Sequence, residues 1–101
     1  TGVDTLWAGV PVVALEARHL AGRASTSFAR ALGLAEMITP NLRAYEDMVH
    51  ELGSRRARLA RLREKLLVAC DVSPLFDAIS LAHAQERLAH SMWRVHAAGL
   101  E

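Results

Sequence analysis

The sequence Thr1-Gly2-Val3-Asp4-Thr5-Leu6-Trp7-Ala8-Gly9-Val10-Pro11-Val12-Val13-Ala14-Leu15 holds a short helix, a Gly-Val-Pro turn and a strand in succession. Thr1-Gly2 falls at the helix N-terminus. Unpaired backbone N–H groups and the positive end of the helix dipole favour an anion there. Asp4 lies about one turn in. A carboxylate at that place is too close to act as a phosphate ligand, but it suits a pair of sugar or ribose hydroxyls. Gly9-Val10-Pro11 stops the helix, because proline disfavours helical geometry at the residue before it. Val12-Val13-Ala14-Leu15 is apolar without alternation, as in a strand covered on both faces in a parallel sheet.

The chain continues outward in the same idiom. Glu16 to Ala24 mixes charge with Ala, Leu and Gly and reads as the loop after a strand's carboxyl end, where doubly wound folds bind ligands. Ser25 to Leu32 reads as a helix stopped by Gly33. Leu34 to Thr39 reads as a second strand closed by Pro40. Strand, helix and strand at this spacing make one parallel crossover unit. Asn41 is an N-cap for a helix whose Leu42, Tyr45, Val49 and Leu52 share a face and which Gly53 ends. Ser54 is read as the cap of the next helix, with Leu59, Leu62 and Leu66 as its stripe. Asp71-Val72-Ser73-Pro74 breaks it. Asp77 caps a last long helix to about Ala97, striped by Leu81, Ala84, Leu88, Met92 and Val95, with Trp93 beside them.

Composition narrows the function classes. A chain of 101 residues is one small domain or a piece of a larger one. Its mean hydropathy of +0.13 is high for a free-standing domain this small and points to surface meant for a partner or for further chain. The opening in mid-motif without Met reads the same way. A net charge of +1 makes no case for capture by nucleic acid or membrane. One cysteine, Cys70, excludes an internal disulfide framework and is read as a buried thiol in a reducing compartment. No apolar run approaches the roughly 20 residues of a membrane span.

Four segments together are similar to one family. TGVDTLWAGVPVV at residues 1–13, ALGLAEMI at 31–38, AYEDMVHELG at 44–53, and SPLFD and MWRVHAAG at 73–77 and 92–99 resemble, in order, the protein O-linked N-acetylglucosamine transferases and their SPINDLY-like relatives. The resemblance implies an α/β fold: the C-terminal part of the nucleotide-sugar-binding, Rossmann-like half of a two-half glycosyltransferase. Two short parallel strands, a mostly helical remainder and a long C-terminal helix are expected. Residues 1–40 would form the strand-and-helix part and 41–99 the helical part. The implied parent activity is transfer of N-acetylglucosamine from UDP-N-acetylglucosamine to Ser/Thr of proteins in the cytoplasm. The nucleotide sugar and an acceptor protein are the implied partners, and no cofactor is called for beyond the donor. Thr1 and Gly2 would meet the diphosphate and Asp4 the ribose. No catalytic residue is assigned in this chain, since the acid/base groups would lie upstream. Where the family often has a glycine after the first strand, Glu16-Ala17 stands. Asp4 in place of the SPINDLY-type Glu leans toward the N-acetylglucosamine branch.

Each signal has a plainer counterpart. Read from the residues alone, Thr1, Gly2 and Asp4 are an ordinary helix start, and Trp7 is core rather than a base-stacking surface. The basic run Arg55 to Lys65 has no interleaved aromatic and reads as a solvated helix face rather than a nucleic-acid or acidic-partner surface. His83, Glu86 and His90 share a helix face, but two turns part the histidines by roughly 10 Å, too far for one ion; no metal is assigned. The other function class is a helical interaction module carried by the last helix. The bare strand edges and apolar faces of the isolated chain predict self-association.

Overall fold

The structure is a computed structural model and describes residues 1–100. In chain order it contains α1 (Gly2–Trp7), β1 (Ala14–Leu15), α2 (Leu20–Ala31), β2 (Ile38–Thr39), α3 (Leu42–Ser54), α4 (Arg56–Val72) and α5 (Ala78–Ala97). Two 3₁₀ turns, Ala35–Met37 and Pro74–Phe76, precede β2 and α5. The expected mostly helical α/β architecture with two parallel strands is present.

The helix stop after α1 is set by Gly9 more than by Pro11. Gly9 lies at φ +82°. Its N–H donates to the Leu6 carbonyl at 3.0 Å, and that of Val10 to the Thr5 carbonyl at 3.1 Å. This pair of bonds closes the helix end by a left-handed residue. The strands are shorter than expected. They pair in parallel only at Ala14 with Ile38 and Leu15 with Thr39. The Thr39 hydroxyl, buried, donates to the Ala14 carbonyl at 2.8 Å and the Glu16 N–H to the Thr39 carbonyl at 2.9 Å. Val12 and Val13 approach the sheet without joining it and pack against the core instead. Leu34 and Met37 are wholly buried, yet they flank and occupy a 3₁₀ turn. Their apolar character serves packing against helices, and that is what made the segment look like strand.

The core lies where α1, α2, α3 and α4 close over this sheet. Leu6, Leu32, Leu34, Met37, Met48, Leu52, Leu62 and Leu66 meet there. Each fully buried side chain of this size contributes roughly 1.5–3 kcal/mol of transfer free energy. The faces differ in detail from the sequence reading. On α3, Met48 and Leu52 point inward while Leu42 and Val49 are exposed. On α4, the core takes Leu62, Leu66 and Ala69, and Leu59 sits at the rim. Ser54 does not cap α4. It ends α3, and its hydroxyl donates to the His50 carbonyl at 2.7 Å. Arg55, with extended backbone, is the single residue between α3 and α4. Asn41 and Asp77 do cap, accepting from the N–H of Ala44 at 2.8 Å and of Ser80 at 3.1 Å.

The last helix, α5, stands apart. None of its residues is buried, and Ile79, Leu81, Leu88, Met92 and Trp93 are more than half exposed. Its principal neighbour is the turn Pro74–Phe76 just before it. The molecule is accordingly long, 56 × 30 × 19 Å.

Candidate functional site

The N-terminus of α1 is built much as its sequence implies. Thr1 takes the cap position, though its side chain makes no capping bond. Its carbonyl accepts from both the N–H of Thr5 at 3.0 Å and the Thr5 hydroxyl at 2.9 Å. The N–H groups of Gly2, Val3 and Asp4 have no carbonyl one turn earlier to bond. The Asp4 carboxylate is 94% exposed. Gly2 lies beside α2: a Cβ there would stand 3.7 Å from the Phe28 ring and 3.9 Å from the Ser25 hydroxyl. Those are ordinary contacts, so the glycine is not forced by crowding. The arrangement offers unbonded donors, a free hydroxyl and a free carboxylate within one helical turn. Trp7 departs from the expectation. It is 62% exposed and lies tilted against the Phe76 ring at 4.9 Å between centroids. Leu6, the residue before it, takes the core position instead, because the six-residue helix has only one inward side.

The carboxyl ends of both strands open on one side into a trough. Glu16 follows β1, Pro40 follows β2, and both line it. The segment read as a loop to Ala24 is helical from Leu20. His19 caps α2, its Nδ1 accepting from the Gly22 N–H at 3.0 Å. Histidine is an uncommon cap and Gly22 a poor helix former, and together they hid this start. A Cβ at Gly22 would overlap the Ala17 methyl, so glycine lets the turn fold back this tightly. Glu16 is held by Arg30 at 2.6 Å across α2. Spacing in sequence carries no sign of this bond, since it joins positions brought together only by the return of the chain.

Other candidates fall elsewhere. Cys70 is half-buried, with its Sγ 3.5 Å from the Leu6 carbonyl. Burial, then the nearby charge of Asp71, pushes its thiol above the ordinary value, which leaves it a poor nucleophile. His83, Glu86 and His90 lie exposed on α5. No helix of the described residues is long and apolar enough to cross a membrane.

Residues 1–85 match the family model for glycosyl transferase family 41. The chain belongs to that family. It is similar to a UDP-N-acetylglucosamine–peptide N-acetylglucosaminyltransferase of Caenorhabditis elegans, 35% identical over 100 residues that cover 99% of this chain and 9% of the relative. A probable UDP-N-acetylglucosamine–peptide N-acetylglucosaminyltransferase SEC of Arabidopsis thaliana is also 35% identical, over 98% of the chain and 10% of its own length. A probable SPINDLY protein of Solanum lycopersicum with the same printed activity is 28% identical over 98% of the chain and 11% of its own length. The chain thus spans about a tenth of the length of these curated relatives. As a family 41 chain it carries both strands, the α1 terminus and the trough within the matched residues.

Proposed function

We propose that this chain is the C-terminal part of the nucleotide-sugar-binding, Rossmann-like half of a longer cytoplasmic enzyme. That enzyme transfers N-acetylglucosamine from UDP-N-acetylglucosamine to Ser/Thr of proteins. The observation that carries the reading is similarity over nearly the whole chain to proteins named for that transfer. Thr1 and Gly2 face the diphosphate at the α1 terminus, and Asp4 accepts hydrogen bonds from the ribose diol. The donor sugar nucleotide is the only small molecule required, and the acid/base groups lie outside this chain. Alone, the chain self-associates and does not turn over. The exposed apolar face of α5 favours a second reading, a helical interaction module with no part in nucleotide binding.

Asp4 separates the readings. A charged acceptor to hydroxyls is worth roughly 1.5–3 kcal/mol. Asp4→Ala in the full-length protein therefore weakens UDP binding by roughly ten- to a hundredfold, and Asp4→Asn by less. Calorimetric titration of UDP into the folded proteins measures this. Equal dissociation constants for wild type and Asp4→Ala remove Asp4 from the site.

A further inference from the structure

Trp7 leaves the inward position to Leu6, yet it is not without a partner. Its ring lies 4.9 Å from that of Phe76 between centroids, tilted by 54°. Phe76 belongs to the turn Pro74–Phe76, far along the chain from α1. That turn is itself fixed. The hydroxyl of the buried Ser73 donates to the Ala31 carbonyl of α2 at 2.7 Å and accepts from the Leu75 N–H at 3.2 Å. Leu75 and Phe76 are partly buried against the core. At Leu6 the side chain is buried in the core, and the Cys70 thiol of α4 donates to the carbonyl at 3.5 Å. All of these contacts join segments of this chain to one another.

We infer that Trp7 is a positioning residue, which orients Asp4 toward the ribose by leaning on Phe76; the inference rests on the transferase reading above. A helix of six residues is too short to hold its own shape in water. Leu6, with the Cys70 contact at its carbonyl, fixes how deep the end of α1 sits. Contacts at one residue leave the helix able to roll about its axis, and Gly2, beside Phe28, has no side chain with which to oppose the roll. Successive residues stand about 100° apart around a helix, so the Trp7 contact acts on a different side from Leu6 and stops it. Asp4 and Trp7 are three residues apart and so lie within about 60° of each other around the axis. Whatever holds the direction of Trp7 therefore holds that of Asp4. A binding group that points correctly for only part of the time raises the dissociation constant by the inverse of that fraction. A tilted pair of rings suits the task, because aromatic rings prefer particular mutual angles.

The test is a double-mutant cycle in the full-length protein, read by calorimetric titration of UDP into folded material. Trp7→Leu is expected to raise the UDP dissociation constant about fivefold, within what one aromatic pair supplies. Trp7→Phe keeps a ring against Phe76 and is expected to retain most of the affinity. In the Asp4→Ala background, Trp7→Leu is expected to change the constant less than twofold, because the group it orients is gone. A merely structural Trp7 lowers the melting temperature and leaves the affinity of the folded protein where it was. If Trp7→Leu binds UDP as the wild type does while Asp4→Ala does not, the inference falls and the transferase reading stands. Equal losses from Trp7→Leu with and without Asp4 also overturn it, since Trp7 then acts by another route. If Trp7→Leu does not fold, Phe76→Leu removes the other ring and is held to the same outcomes. If the wild type does not bind UDP, the transferase reading falls and takes this inference with it.

Discussion

Gly9 and Gly33 hold the chain in left-handed conformation, at φ +82° and +71°. An L side chain there costs about 1–2 kcal/mol. A Cβ at Gly33 meets open space, whereas one at Gly9 comes 2.9 Å from Leu67 Cδ2. Leu67 is 48% exposed and able to swing its methyl into solvent. Gly9→Ala and Gly33→Ala are therefore expected to destabilise within about 1 kcal/mol of each other. Urea unfolding of the two variants checks it. Glu36 offers a second residue-scale outcome. Burial works against its ionisation, but the hydrogen bond and charge of Lys65, at 2.8 Å, with its own backbone N–H and Arg58, outweigh that and hold its carboxyl below the ordinary 4.5. A lowered folded value means that the pair's stabilisation is complete above 4.5 and is lost as pH falls through the folded value. Lys65→Met is expected to raise the Glu36 titration midpoint and to flatten this acid-side loss. Carbon-detected NMR titration of the Glu36 carboxyl reads it, and an unmoved midpoint would refute the account.

At the level of elements, the caps decide where helices begin. Asn41 accepts from the Ala44 N–H at 2.8 Å and so starts α3. Asn41→Ala is expected to cost about 1 kcal/mol, a fall of about 4–8 °C in Tm for a chain of this size. Ser54 looks like a cap in sequence but bonds backward to the His50 carbonyl. Ser54→Ala is expected to change stability by no more than about 0.5 kcal/mol. Thermal melts of both variants distinguish a capping serine from one that merely satisfies its own hydroxyl. The two-residue ladder between β1 and β2 is too short to hold the sheet by itself. Its stability comes from the helices packed on it, through Leu34, Met37 and Leu66.

The shape of the whole molecule follows from α5. A radius of gyration of 16.8 Å exceeds the roughly 13 Å of a compact chain of this length. A helix of 20 residues without a buried face is marginal in water. Pairing with a second copy would cover Leu81, Leu88 and Met92 and the neighbouring Trp93, all exposed in the single chain. Light scattering behind a sizing column is expected to give a mass above 11.0 kDa that rises with loading concentration. A constant monomer mass across micromolar concentrations would refute self-association.

What the amino-acid sequence settled by itself was local. The order of helices and strands, the caps at Asn41 and Asp77, and the grouping of Thr1, Gly2 and Asp4 on one turn follow from turn chemistry and periodicity within a few residues. What only the tertiary structure decided depends on what lies across the chain. Leu34 and Met37 look alike as strand or turn until helices cover them. Trp7 and Leu6 compete for one inward position, and the packing of α1 against α4 gives it to Leu6. The trough exists because Glu16 and Arg30 are joined over 14 positions, and because β1 and β2 end on the same side. Periodicity carries no information about such distant pairings, since each is set by the return path of the chain.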